Sequence, residues 1–317
     1  MTGLAYIFPG QGAQSVGMGK ELADAFPAAR AVFEEVDEAL DQSLSTLMWN
    51  GPEDDLTLTA NTQPALMAVS VAAMRALEAE FGIGISTAAF VAGHSLGEYS
   101  ALAASGAIGP AETARLLRIR GDAMQAAVAP GDGAMAALLG ADIDQAEAAC
   151  AAGMAAAGGT CEIANDNAPG QLVLSGSAGA VEAACAEAKA LGVKKAVPLS
   201  VSAPFHCSLM GPAAEAMAAA LAEATINAPA VPLIANVTAA PTVEPEEIRQ
   251  HLVHQVTGRV RWTETVQFLL ANGVELTAEA GAGKVLSVMN RRTAKAIKGV
   301  TLGSPDELQA FAESLKS

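Results

Sequence analysis

The chain has 317 residues, of which 51% are hydrophobic and 16% charged, enough to build a large core and incompatible with a disordered or low-complexity chain. Its net charge of −16 excludes a general nucleic-acid binder, because neutralising phosphates needs a basic surface. No apolar run reaches membrane-spanning length, and the first ten residues lack the basic stretch and long apolar core of a secretory signal, so the expected setting is the cytoplasm and no membrane partner is expected.

Leu4 to Phe8 is a short apolar run that predicts a strand, followed by the loop Pro9-Gly10-Gln11-Gly12. The glycines between Gly10 and Glu21 fit neither G-x-G-x-x-G nor a phosphate loop, so no nucleotide cofactor is implied. Leu66, Val69, Met74, Leu77 and Phe81 recur at helical steps. The apolar run Ala88 to Ala92 then leads into Gly93-His94-Ser95-Leu96-Gly97 and a stretch of small residues predicted to be helical from Leu96. A G-x-S-x-G pentapeptide between a strand and a helix is the turn on which a nucleophilic serine is presented, with the helix N-terminus directed at an oxyanion. The pentapeptide alone also fits an ordinary turn in a Gly- and Ala-rich chain; the flanking strand and helix favour the nucleophile. Glu98 falls in the first turn of that helix, where a carboxylate favours the dipole without any catalytic duty.

Pro130-Gly131-Asp132-Gly133 breaks the helical pattern. Beyond it the spacing predicts a strand from Ala134 to Leu139, a helix from Asp142 to Ala157 and strands from Cys161 to Asn165 and Gln171 to Ser175. Asn167, Pro169 and Gly170 form the turn between those two strands, and a helix from Ala180 to Leu191 and a strand from Val193 to Leu199 follow. The order βαββαβ is ferredoxin-like. Short strands such as Val231 to Ile234 alternate with helices elsewhere, which indicates an α/β domain. Residues 129–202 therefore read as a small domain inserted into a larger one made of 1–128 and 203–317, with the substrate cleft between them. Cys150, Cys161, Cys185 and Cys207 lack C-x-x-C spacing and read as reduced core thiols, and no metal-ligand cluster is evident.

A serine needs a base, and the chain offers four histidines. His94 sits inside the tight turn, where its side chain is expected to point away from that of Ser95. His251 and His254 fall on a polar helix face and read as surface residues. His206, where the chain leaves the small domain, is the candidate base, although its position alone leaves a structural histidine equally open. Read alone, Arg120 in a helix is a surface ion pair.

Pro9 to Gly12, Gly93 to Glu98, Arg120-Gly121 with Met124-Gln125, Asn165 to Gly170, Phe205-His206, Gln255 to Thr263 and Gly281 to Leu286 occur in one order along the chain. Together they resemble the malonyl-CoA:acyl-carrier-protein transacylases of fatty-acid synthesis. The resemblance implies an α/β-hydrolase-like large domain with a parallel sheet plus the inserted ferredoxin-like domain. It implies that Ser95 takes malonyl from malonyl-CoA as an ester, that His206 moves the proton, and that the phosphopantetheine thiol of acyl carrier protein receives the group in a ping-pong cycle. It further implies an oxyanion hole from the N–H groups of Gln11 and Leu96, a backbone carbonyl of Gln255 orienting the histidine, Arg120 gripping the malonyl carboxylate, and Asn167 near the substrate path. Phe205 resembles the small-substrate version of the motif, which implies less space for an α-methyl group. No acidic third member is evident, and a thiol leaving group makes a dyad sufficient. No cofactor is required, since CoA and phosphopantetheine enter as parts of substrates, and the family suggests a monomer. The carrier protein is acidic in this family, so docking is expected at a local basic patch, Arg291, Arg292 and Lys295, with Lys194 and Lys195 as further candidates. The competing reading is a serine esterase or thioesterase using the same Ser95 and His206, in which Arg120 has no purpose.

Overall fold

The structure is a computed structural model that describes residues 3–316. Its strands are β1 (Leu4–Phe8), β2 (Phe90–Gly93), β3 (Gly133–Leu139), β4 (Cys161–Ala168), β5 (Gln171–Ser177), β6 (Lys195–Pro198), β7 (Leu233–Ile234), β8 (Pro241–Thr242), β9 (Val260–Arg261), β10 (Leu276–Ala280) and β11 (Lys298–Leu302). They form two sheets. The larger has the order β11-β10-β1-β2-β7-β8, parallel except for the antiparallel β8 at one edge. All five residues of β1 are buried, as expected of a parallel strand covered on both faces. The Thr59–Phe81 helix packs so deeply that buried residues occur all around it, which explains why its apolar spacing is continuous rather than a narrow stripe.

The smaller sheet has the order β6-β3-β5-β4-β9. Its first four strands are antiparallel neighbours in the spatial order of a ferredoxin-like unit, with the Ile143–Ala157 and Ala178–Ala188 helices packed on it. Ala136, Leu138, Ala149, Leu172, Leu174 and Val181 belong to a core separate from that of the large sheet. β9 is the departure from expectation: it comes from the returning chain, beyond residue 202, and adds a fifth strand parallel to β4. It ties the two parts together next to the cavity described below.

Asn167 is not in a turn as the sequence suggested. β4 runs on to Ala168, and the pairing with β5 slips between Asp166 and Ala168, leaving Asn167 as the extra residue of a bulge. A bulge re-aims the side chain it carries, and a polar residue beside a Pro-Gly pair gives no signal in the sequence that separates a bulged strand end from the turn itself.

Candidate active site

Two adjacent parallel strands, β1 and β2, end at one cavity, and their neighbour β7 ends behind it at Asn236, which accepts from the Ser95 N–H. β1 leads into Gly10 and Gln11, β2 into His94 and Ser95, and β7 into Ala235 and Asn236, which is the carboxyl-edge position where open α/β sheets hold ligands. The cavity has a volume of about 280 Å³ and is lined by Gln11, Ser95, Leu96, Arg120, Asn167 and His206 among others. Gln255, buried behind it, reaches these residues through hydrogen bonds.

The turn that carries Ser95 has no spare room. A Cβ on Gly93 would lie 1.9 Å from the backbone of Gly97, and one on Gly97 would lie 2.2 Å from the carbonyl oxygen of Phe8. Ser95 itself has φ 52° and ψ −113°, a backbone state that costs an L-residue about 1–3 kcal/mol and persists only when its surroundings hold it. Asn236 and Gln255 do the holding. The Ser95 N–H donates to Asn236 Oδ1 at 2.8 Å, Asn236 Nδ2 donates to the Gly93 carbonyl at 2.7 Å, and Gln255 Nε2 donates to the Ser95 carbonyl at 2.9 Å.

His206 also has a positive φ, 57°. Its Nε2 lies 2.7 Å from Ser95 Oγ. Its Nδ1 lies 2.9 Å from the Gln255 carbonyl oxygen and 3.2 Å from that of Gly258. Carbonyls only accept, so Nδ1 carries the proton and Nε2 offers its lone pair to the serine hydroxyl. Burial, with the Arg120 guanidinium nearby, drives the imidazole pKa down to about 3, so the ring is neutral at physiological pH. A neutral imidazole in that tautomer can take the hydroxyl proton as the oxygen attacks a carbonyl.

Arg120 is 2% exposed, not the surface residue that a helical arginine suggests by itself. Nη1 donates to Gln63 Oε1 at 2.8 Å, and Nη2 donates to Gln255 Oε1 at 2.9 Å and to Ser95 Oγ at 3.0 Å. A fixed positive fork thus stands beside the hydroxyl, where it can neutralise an anionic group brought in with the acyl chain. The N–H groups of Gln11 and Leu96 face no protein acceptor among the described residues, and both residues line the cavity, so both donors are free for an incoming oxygen.

His94 points its Nε2 to Asn167 Oδ1 at 2.8 Å and packs against Trp262 with ring centroids 5.7 Å apart. The ring therefore does turn away from Ser95 Oγ, although it still lines the cavity. His251 is half-buried and not the fully exposed residue expected, while His254 is exposed. Glu98, in the first turn of the helix that follows Ser95, is 1% exposed, accepting from Gln255 Nε2 at 2.8 Å and the Asn236 N–H at 3.2 Å. Gln63, Asn236 and the side chain of Gln255 were not singled out by sequence. Asn236 carried a usable signal, a polar residue just past the end of a short apolar strand. Gln63 sits on a helix otherwise filled with apolar residues, a weaker one.

Arg291 and Arg292 close the Val285–Thr293 helix and are exposed, as is Lys295. The same helix lines the cavity with Val285, Leu286 and Met289. Arg292 Nη1 donates to Gln171 Oε1 at 2.8 Å. Gln171 pairs with Leu139, and Leu139 pairs with Lys195, so Lys195 lies two strand spacings, about 10 Å, along the same end of the small sheet.

The sequence matches the model of the acyl transferase domain family over residues 5–307. It is 42% identical, over 316 residues spanning 100% of this chain and 98% of the other, to the malonyl CoA-acyl carrier protein transacylase of Bacillus subtilis strain 168. Its structure is similar to the crystal structure of an acyl-carrier-protein S-malonyltransferase from Bartonella henselae, with a TM-score of 0.96, 54% identity, and coverage of 99% of this chain and 100% of the other. It is also similar to a malonyl-transacylase solved in complex with its type II PKS acyl-carrier protein, with a TM-score of 0.94, 40% identity, and coverage of 98% and 99%.

Proposed function

The chain belongs to the acyl transferase domain family, and on that footing we propose that it transfers malonyl from malonyl-CoA to the phosphopantetheine thiol of acyl carrier protein through an ester on Ser95. The observation that carries the reading is the convergence of one hydroxyl, one neutral imidazole and one buried guanidinium within hydrogen-bond reach. Ser95 Oγ attacks the thioester carbonyl while its proton passes to His206 Nε2. The carbonyl oxygen becomes an oxyanion held by the N–H groups of Gln11 and Leu96. Collapse expels the CoA sulfur, which takes the proton from His206 and departs as the thiol. In the second half His206 deprotonates the phosphopantetheine thiol, the sulfur attacks the malonyl ester, and the proton returns to Ser95 as the C–O bond breaks. The Gln255 carbonyl fixes the imidazole through both halves. Arg120 binds the free malonyl carboxylate in two parallel hydrogen bonds, and Asn167 holds His94 in the cavity wall.

The chain acts in the cytoplasm, which its kinship with the bacterial enzymes supports. It works as a monomer, the state that the family resemblance suggests. Residues 129–202 act as an inserted unit between 1–128 and 203–317, supported by their separate core. Acyl carrier protein docks on Arg291, Arg292 and Lys295, with Lys194 and Lys195 extending the patch. The support is that the helix bearing the two arginines also lines the cavity.

Incubation with labelled malonyl-CoA and no acceptor tests the chemistry. A stable labelled ester that is absent in Ser95→Ala is the expected result. Rapid release of free malonate would turn the assignment to hydrolysis.

A further inference from the structure

Behind Ser95, the structure contains a second charge that the transfer chemistry does not use. Glu98 lies in the first turn of the Leu96–Ala104 helix and is 1% exposed. It reaches Arg120 through one intermediary: Glu98 Oε2 accepts from Gln255 Nε2, and Gln255 Oε1 accepts from Arg120 Nη2. Gln255 is thus a neutral spacer between a buried anion and a buried cation. Glu98 Oε1 is buried without a hydrogen-bond partner among the described residues, and the Arg120 guanidinium lies over the Tyr99 ring, 5.7 Å from its centroid.

We propose that Glu98 is a specificity-determining positioning residue, whose charge competes with the donor's free carboxylate for the single guanidinium of Arg120, so that loading of malonyl is accompanied by proton uptake at Glu98. The inference rests on the malonyl reading above. With Glu98 ionised, the empty site is balanced at one negative and one positive charge. A malonyl carboxylate brings a second negative charge into the same poorly solvated space, where two carboxylates do not both stay ionised beside one cation. The donor carboxylate contacts the guanidinium directly, whereas Glu98 does so only through Gln255, so the proton goes to Glu98.

The surroundings agree. Arg120, from the Pro110–Ala126 helix, is the charged group acting on Glu98. Tyr99 on its own helix is neutral, its hydroxyl pKa pushed well above the ordinary value by burial. Gln255 from the Pro245–Thr257 helix, Asn236 after β7 and Gln63 from the Thr59–Phe81 helix are uncharged, and His206 is neutral. Burial already raises the Glu98 carboxyl to about 7, within reach of a proton at working pH.

The test compares the wild-type protein with Glu98→Gln, which keeps an acceptor for Gln255 and removes the charge. Acyl loading from malonyl-CoA and from acetyl-CoA is followed from pH 6 to pH 8. In the wild type the apparent KM for malonyl-CoA should rise up to about tenfold over that range, while that for acetyl-CoA should stay flat; in Glu98→Gln both should be flat. A merely structural role would lower kcat for both donors and leave the malonyl slope in place, and either a slope that survives in Glu98→Gln or a flat wild type overturns the proposal. A second measurement needs no variant. An indicator dye in weakly buffered solution at pH 7 should report uptake of about half a proton per site with malonyl-CoA relative to acetyl-CoA, and no difference overturns the proposal. If the ester forms on Ser95 without either signal, only Glu98's role is lost; if no malonyl ester forms, the malonyl reading falls with it.

Discussion

Replacing Arg120 by alanine separates donor recognition from chemistry. The guanidinium has two faces of consequence: its hydrogen bonds to Gln63 Oε1 and Gln255 Oε1 hold the wall, and the side that reaches Ser95 Oγ is the one proposed to take the malonyl carboxylate. Truncation orphans two buried acceptors, at about 1–3 kcal/mol each, and this penalty falls on every donor alike. The two parallel bonds to the carboxylate, about 1.5–3 kcal/mol each, are lost only for malonyl. The ratio of malonyl to acetyl kcat/KM should therefore fall by about 3–6 kcal/mol, or roughly 10²- to 10⁴-fold, because the shared structural loss cancels. Single-turnover formation of the Ser95 ester from each donor measures the ratio directly. Equal losses for both donors would refute the carboxylate grip and leave Arg120 a structural residue.

The pH behaviour of the imidazole and the charge of the docking patch give two further tests. Because His206 holds its pKa near 3, below the ordinary histidine value, it stays deprotonated as pH falls. Acetyl loading, free of the carboxylate competition, should thus change less than twofold from pH 8 to pH 5. A decline centred near pH 6.5 would show an ordinary, solvated histidine instead. Charge reversal at Arg291, Arg292 and Lys295 should raise the KM for carrier protein by about two- to fivefold per residue, the scale of an exposed ion pair. Loading from malonyl-CoA should be unaffected, and an unmoved carrier KM would send the docking surface elsewhere.

The local chemistry was legible along the chain wherever neighbours in sequence are neighbours in space. Leu4 to Phe8, the G-x-S-x-G turn and the βαββαβ order each depend on short-range periodicity and turn sterics, and each element formed within a few residues of its expected limits. Glu98, Asn167 and Gln255 did not yield in the same way. A carboxylate in a first helical turn looks identical in sequence whether that face meets water or Gln255, and an asparagine before Pro-Gly looks like a turn until pairing with β5 leaves it in a bulge. The Gln255 side chain joins Ser95, Glu98 and Arg120, which lie far away in sequence, and its own carbonyl orients His206. Sequence alone picked out the candidate residues and the strand-to-helix turn that carries Ser95, because those depend on residue type and local backbone geometry. Only the tertiary structure decided which buried charges face one another, since that is set by how the ends of β1, β2 and β7 and two helices from distant stretches close around Ser95.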